Sequence, residues 1–283
     1  RQLSGAETLH LEPGLESRNL RAGFVYYDCQ AIYPERLALD MALVAEQAGA
    51  TVRNHTEVAG FTGEPRQVTG VRTRGGEELH ARLVINAAGP WADQVRRLLA
   101  AGSDRPLLSL VNGAPLVTGP FPGAPTPAIY HEASSDHRPF FIIPWRGLWL
   151  IGTTETPYEG DPGVTLPTAR EIDYLLRETN LLFPRASLTR ASVLYSYAGP
   201  RPLLHSGAQA QAMSREHTIY DHLAEEGIAG VLTLVGGKLT TARHFARQAL
   251  DRIAAGLGPP PRPGVARPVA PSDGVPSRLV QIY

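Results

Sequence analysis

A glycine pair followed by a lysine, at the exit of an apolar run, is the arrangement in this sequence best suited to chemistry. Val231-Leu232-Thr233-Leu234-Val235 is an unbroken stretch of β-formers that enters Gly236-Gly237-Lys238 and then Leu239-Thr240-Thr241. Such a run fits a strand buried on both faces, and in open α/β sheets ligands sit just beyond the carboxyl ends of such strands. Two glycines remove the Cβ atoms that would hold a ligand away from the backbone. A helix opening behind them offers unpaired N–H groups and a positive dipole end. The arrangement suits an electron-rich ring or an anion. It is not a nucleotide P-loop, which needs a glycine five positions before the Gly-Lys pair and Ser or Thr directly after it; here those positions are Leu232 and Leu239. From this stretch alone an ordinary strand-turn-helix is the competing reading.

The elements that must position this turn follow from periodicity. Pro34 to Ala48 reads as a helix, with Pro34 in the first turn, an apolar stripe of Leu37, Met41, Val44, Ala45 and Ala48, and Gly49 to end it. Thr51–Asn54 and Val58–Phe61 read as short strands, and Gln67–Thr73 with Glu78–Ile85 as a hairpin around Gly75-Gly76. Leu83-Val84-Ile85 runs into Asn86-Ala87-Ala88-Gly89-Pro90-Trp91, with a helix to Leu99 behind Pro90. From Leu107 to Gly152, apolar segments separated by Gly and Pro turns indicate antiparallel strands. Thr168 and Glu171 form a capping-box pair, opening a helix that buries Ile172, Leu175, Leu176 and Leu182. Strand patterns return at Ser192–Tyr197 and Met213–Tyr220. A last helix from Thr241 to Ala255 faces Ala242, Phe245, Ala246, Ala249, Leu250 and Ile253 inward and Arg243, Arg247 and Arg252 outward. The whole reads as α/β, then an antiparallel block, then α/β again.

Composition bounds the rest. The 283 residues suffice for one large or two modest domains. Lys+Arg and Asp+Glu are both 27, which argues against bulk nucleic-acid attraction. The single cysteine, Cys29, rules out an internal disulfide framework and a multi-cysteine metal site, and it suits a reducing, cytoplasmic compartment. Its expected role is that of a small strand residue beside Tyr26 and Tyr27. No apolar run approaches the ~20 residues of a membrane-spanning helix, and no signal-peptide pattern opens the chain. Asn54-His55-Thr56 matches a glycosylation acceptor but lacks a secretion signal to go with it. No His, Asp or Glu cluster has metal-ligand spacing.

Several stretches together resemble the FAD-dependent glycerol-3-phosphate dehydrogenases, within the D-amino-acid-oxidase-like flavoproteins. They are Tyr27-Asp28-Cys29 with Glu35-Arg36-Leu37, Val84 to Asp93, Ile143-Pro144-Trp145 and Ile151 to Glu155. Tyr197 to Leu203, Ser214 to Thr218 and Gly236 to Thr241 complete the set. They occur in the family's order. The resemblance implies an α/β (α+β overall) fold, with an incomplete FAD-binding Rossmann-like domain interleaved with an antiparallel-sheet substrate domain. The expected divisions are substrate-domain strands over 1–30, part of the FAD-binding domain over 31–105, the antiparallel substrate (cap) domain over 106–198 and a return to the FAD-binding domain over 199–257. A Pro-rich linker over 258–283 would lead toward a further domain. The family's opening G-x-G-x-x-G unit is absent from these residues, so the chain reads as an internal fragment that binds FAD weakly or not at all by itself.

The resemblance assigns roles residue by residue. Val58 would lie beside adenine through its main chain. Ala87, Ala88, Gly89 and Trp91 would follow the dinucleotide, and Gly236, Gly237, Lys238, Leu239 and Thr240 would hold the isoalloxazine. Lys238 would hydrogen-bond the substrate hydroxyl or steady charge on the flavin. Arg201, between Pro200 and Pro202, and Arg215 would clamp a phosphate dianion bidentately. Lys238, Arg201 and Arg215 are thus the implied catalytic and substrate-binding set. Many members carry a histidine near Asn112-Gly113-Ala114; here Ala114 stands in that neighbourhood, so no such base carries over. His217 reads as a structural donor, and Tyr195, Tyr197, Trp145 and Trp149 as core. The implied reaction passes hydride from C2 of sn-glycerol 3-phosphate to flavin N5, with a quinone or O2 as final acceptor. A peripheral inner-membrane contact and a homodimer are compatible with it. An amine or 2-hydroxy-acid oxidase of the same fold, or a non-catalytic fragment serving as an interaction module, are the competing readings.

Overall fold

The computed structural model describes residues 1–102, 105–205 and 216–257. The expected linker over 258–283 lies outside them, as do Met213, Ser214 and Arg215. The strands are β1 (Gln2–Ser4), β2 (Ala22–Phe24), β3 (Val58–Glu64), β4 (Gln67–Thr73), β5 (Glu78–His80), β6 (Val84–Asn86), β7 (Leu108–Gly113) and β8 (Leu116–Thr118). They continue with β9 (Ile129–Glu132), β10 (Pro139–Trp145), β11 (Leu148–Gly152), β12 (Thr156–Tyr158), β13 (Val193–Ser196), β14 (Gly199–Leu204), β15 (Thr218–Asp221) and β16 (Val231–Val235). The helices are α1 (Gly5–Leu11), α2 (Pro34–Gln47), α3 (Ala92–Arg96), α4 (Ala169–Leu182), α5 (His222–Glu226) and α6 (Ala242–Leu257).

The antiparallel block is organised around a sheet of order β13-β8-β11-β10-β9. Alternate residues of its strands point to opposite faces. Leu116, Phe140, Ile142 and Ile151 project onto one face and pack with Leu175, Leu176 and Phe183 of α4 and its exit. The Thr168–Glu171 capping box that opens α4 is formed as expected. A second sheet, β12-β7-β14, stands beside it, with Arg201 of β14 opposite Val111 of β7.

A third sheet, of order β15-β16-β6, carries the glycine turns, and β1-β2 and β3-β4-β5 form two further small sheets. β16 pairs parallel with β6, Thr233 opposite Asn86, and antiparallel with β15. Val231, Leu232, Thr233 and Val235 are buried, as a two-faced strand requires. Polar side chains lock the parallel pair. Asn86 Nδ2 donates to Thr233 Oγ1 (3.3 Å) and to the Ala92 carbonyl (2.9 Å), and its Oδ1 accepts from the Ala88 N–H (3.2 Å). Thr233 Oγ1 is 2.8 Å from His222 Nε2, and His222 Nδ1 is 2.7 Å from Glu226. A neutral His222 protonated on Nδ1 satisfies both contacts: it donates to the carboxylate and accepts from the threonine. Glu226 pairs with Arg96 (2.8 Å), which bonds Asp93 (3.3 Å), and Asp93 accepts the Leu107 and Leu108 N–H groups that open β7.

Several local expectations are corrected. Thr51–Asn54 forms no strand, and Glu78–Ile85 divides into β5 and β6 because a break at residues 81–83 redirects the chain to pair with β16. Behind Pro90 a 3₁₀ turn (Gly89–Trp91) precedes α3, which ends at Arg96 rather than Leu99. The α2 stripe is real but uncovered, with Leu37 at 40% exposure and no residue of the helix buried. Ala246 and Leu250 of α6 are exposed, so only Phe245 and Ala249 of the expected inward set are buried. Cys29 is exposed and outside any strand. Tyr195 and Tyr197 are exposed rather than core.

Among the described residues no helix is long and apolar enough to cross a membrane, and no group of His, Cys, Asp or Glu side chains is placed to hold a metal ion.

Burial lowers the His222 pKa from its ordinary value near 6.5, against the opposing pull of Glu226. The unfolded chain therefore binds a proton at His222 that the folded chain resists, so stability should fall as pH drops below about 6.5. Urea unfolding followed between about pH 7.5 and pH 5.5 should show this loss, and His222→Gln should flatten it. An unchanged slope in the variant would remove His222 from the acid-sensitive groups.

Candidate functional site

Two constructions stand out: a cavity with a guanidinium in its wall, and a pair of glycine turns on neighbouring parallel strands. The cavity, of about 380 Å³, is lined by Phe141, Ile143 and Leu150 from the sheet face turned away from the core and by Gly113, Thr153 and Arg201. Sheet alternation explains the division: Phe140 and Ile142 fill the core while Phe141 and Ile143 face the cavity.

Arg201 is held in place rather than left to sweep the solvent. Its Nη2 donates to Thr153 Oγ1 (3.1 Å) and its Nη1 to the Thr154 carbonyl (3.3 Å), with the Glu155 carboxylate 3.7 Å away. Gly113 makes this possible. A Cβ there would lie 2.7 Å from Arg201 Cζ and 2.8 Å from Thr153 Oγ1. The residue opposite Gly113 in the ladder is Gly199, so this rung of the sheet carries no side chain. Tyr197, at the same cavity, has its phenol pKa raised by burial and by the neighbouring Glu35 and Tyr195, which keeps it a neutral hydrogen-bonding group.

The turns lie at the carboxyl ends of β6 and β16. Gly89, Gly236 and Gly237 all take positive φ (+53°, +75° and +85°), a region L-residues rarely adopt. A Cβ on Gly89 would meet nothing within 4 Å, so this backbone faces open space. The N–H groups of Ala87, Gly89, Gly236 and Gly237 donate to no described residue. Thr241 Oγ1 accepts the Lys238 N–H (3.1 Å) and fixes the start of the turn into α6. The free amides, the open backbone at Gly89 and the helix start fit an anionic or electron-rich group, whereas a Cβ on Gly236 would meet the Glu216 carbonyl at 2.8 Å, so that glycine serves close chain packing.

Of the residues singled out from sequence, Arg201 lines the cavity and Gly236, Gly237, Lys238, Leu239 and Thr240 form one turn, next to the Ala87-Ala88-Gly89 turn through the β6–β16 pairing. Lys238, Leu239, Thr240 and Trp91 are exposed, and Val58 begins β3 half-buried. Arg215 lies outside the described residues, so its pairing with Arg201 rests on the sequence. His217 bonds Gln248 (2.5 Å) and lies against Phe245, the structural role expected of it. Trp149 packs against the core as expected. Thr153, Thr154 and the bare Gly113 escaped individual notice. Their signal was present in Gly152-Thr153-Thr154-Glu155, a stretch matched only as a block.

Residues 1–248 match the family described as FAD dependent oxidoreductase, and the chain belongs to that family. FAD is therefore the cofactor the family implies, and the paired glycine turns fit it. The chain is 37% identical, over 99% of its length and 53% of the relative's, to the glycerol-3-phosphate dehydrogenase of Synechocystis sp. (strain ATCC 27184 / PCC 6803 / Kazusa). It is 33% identical to the aerobic glycerol-3-phosphate dehydrogenase of Staphylococcus haemolyticus (strain JCSC1435), over 90% of this chain and 46% of that one. Among solved structures, the glycerol-3-phosphate dehydrogenase from Bacillus halodurans complexed with FAD superposes with a TM-score of 0.77 at 32% identity, covering 90% of this chain and 49% of that one. The FAD-bound L-alpha-glycerophosphate oxidase from Mycoplasma pneumoniae, at 21% identity and a TM-score of 0.65, shares the fold, covering 88% of this chain and 63% of that one. The chain spans about half the length of the curated relatives it matches.

Gly113→Ala should displace the Arg201 guanidinium, the movable partner in that contact, while leaving the ladder intact. Affinity for inorganic phosphate, measured by titration calorimetry, should fall about tenfold, the worth of one charge-assisted hydrogen bond, with little change in melting temperature. Unaltered phosphate affinity would show that the guanidinium does not need this space.

Proposed function

We propose that this chain supplies the phosphate clamp and much of the flavin cradle of an FAD-dependent sn-glycerol 3-phosphate dehydrogenase, which converts its substrate to dihydroxyacetone phosphate. The observation carrying this reading is the Arg201 guanidinium, braced by Thr153 and Thr154, in the wall of a cavity lined in part by apolar side chains. A guanidinium presents paired donors to phosphate oxygens, and a low-dielectric wall strengthens the attraction. Arg215 is the second cation of the clamp. Bound FAD would supply the two-electron acceptor for the hydrogen at the substrate's C2.

The chain's own residues do the remaining work. Arg201 and Arg215 anchor the phosphate and so fix the distance of C2 from the anchoring point. The sheet face of Phe141, Ile143 and Leu150 excludes water. Gly236, Gly237 and Thr240 would present amides to the cofactor together with Ala87 and Gly89, while Ala88 and Trp91, whose N–H groups go to Asn86 Oδ1 and the Ala88 carbonyl, and Val58 at the adenine end would line it. Lys238, exposed and without a side-chain partner among the described residues, donates to the substrate hydroxyl or to negative charge on the cofactor. The electron acceptor in this reading is a quinone or O2, with a peripheral membrane contact and a cytoplasmic setting. The chain divides into cofactor-binding and substrate-binding regions that alternate along the sequence.

Kinetics of a full-length, FAD-loaded protein that carries this chain provide the test. With sn-glycerol 3-phosphate, Arg201→Ala should raise KM by about a hundredfold, as expected for two lost charge-assisted bonds. Sarcosine and lactate should be turned over poorly by the unsubstituted protein. Preferential turnover of either would favour the amine or 2-hydroxy-acid oxidase reading and overturn this one.

A further inference from the structure

Arg201 projects from a strand whose backbone is fixed by β7, yet its long side chain could still swing across the cavity mouth. Besides the Glu155 carboxylate, 3.7 Å from Nη1, the segment between β11 and β12, Thr153 and Thr154, restrains it. That segment is itself tied down from an unexpected direction. A capping-box glutamate needs only one carboxylate oxygen for its cap. In α4, Glu171 uses Oε2 for this purpose, accepting the Thr168 N–H (2.9 Å) and hydroxyl (2.9 Å). Its Oε1 turns away from the helix and accepts the Thr154 hydroxyl (2.8 Å) and Asn112 Nδ2 (3.3 Å).

Glu171 is only 5% exposed, an unusual setting for a capping residue. Burial alone would raise its pKa, but the bonds from Thr168 and Thr154 outweigh it and hold the group below the ordinary carboxylate value. Thr154 is saturated: its hydroxyl donates to Glu171 and accepts the Ala114 N–H (3.0 Å). Both bonds fix the residue's orientation and so the direction of its carbonyl, the acceptor for Arg201 Nη1. The chain of contacts therefore runs from the start of α4, through one buried carboxylate and one hydroxyl, to the guanidinium in the cavity wall.

We propose that Thr154, anchored by Glu171, is a positioning residue that aims the Arg201 guanidinium at the anion in the cavity. This rests on the reading of Arg201 as the anion clamp. Thr154 touches no substrate; it acts through its carbonyl on Arg201.

Thr154→Val keeps the shape of the side chain and removes both hydroxyl bonds. In the FAD-loaded protein it should raise KM for sn-glycerol 3-phosphate roughly tenfold, with kcat within about twofold of the parent, as expected when a ground-state anchor is loosened. Thr154→Ser should restore the parent KM. Thr168→Ala, which strips the helix cap but leaves Oε1 bonded, should lower the melting temperature without moving KM, which separates positioning from stability. If Thr154→Val does not fold, Thr154→Ala, which also removes both hydroxyl bonds and adds no volume, should reproduce the KM increase. Titration of inorganic phosphate should weaken in parallel with KM. An unchanged KM and phosphate affinity in Thr154→Val, alongside a large increase in Arg201→Ala, would overturn the positioning role and leave the clamp standing. Silence of Arg201→Ala itself would remove the clamp, a different result.

Discussion

The parallel pairing of Val84–Asn86 with Val231–Val235 is the constraint on which the rest depends. Parallel strands have no hairpin to hold them in register and draw on side chains and packing instead. Here the register is pinned by Asn86 and His222, both buried and both hydrogen-bonded to the buried Thr233. Each neutral bond contributes about 1 kcal/mol net, but an orphaned member would cost roughly 1–3 kcal/mol, so the asymmetry enforces one alignment. That alignment brings two glycine turns side by side at the same end of the sheet. The extension through Glu226, Arg96 and Asp93 to the Leu107 and Leu108 amides carries the register to β7, the strand beside Arg201.

The two halves of the site are therefore mechanically connected. Asp93 sets where β7 begins, β7 sets the height of Arg201 through the Val111 pairing, and Gly113 at the far end of β7 leaves room for the guanidinium. A buried ion pair is a poor source of net stability, because desolvation consumes most of the Coulombic gain. Arg96 and its carboxylates are better understood as registration. Removing one partner leaves an uncompensated buried charge, which forbids alternative alignments.

Some large apolar residues stand exposed. Leu37 and Leu39 of α2 and the run Phe24-Val25-Tyr26-Tyr27 lie open to solvent, with Tyr27 at 97%. A helix with an apolar stripe ordinarily lies against a core.

Local pattern in the sequence determined much of this. Continuous β-formers marked β16, Pro34 and the periodic stripe marked α2, and the Thr168–Glu171 spacing marked the start of α4, because each depends on neighbours a few residues apart. The glycine turns and Arg201 were legible as chemistry for the same reason, and the matched stretches in family order named the cofactor. Tertiary structure alone decided which residues meet. Nothing local announces that Thr233 faces Asn86, 147 positions away, that a capping glutamate spends its second oxygen on Thr154, or that Gly113 yields its volume to Arg201. It also exposed Tyr195, Tyr197 and Leu250, whose types suggested the core. Hydrophobicity and spacing specify which element forms. The pairing of distant strands specifies which face is covered and which side chain a buried charge finds, and that information resides in contacts rather than in sequence.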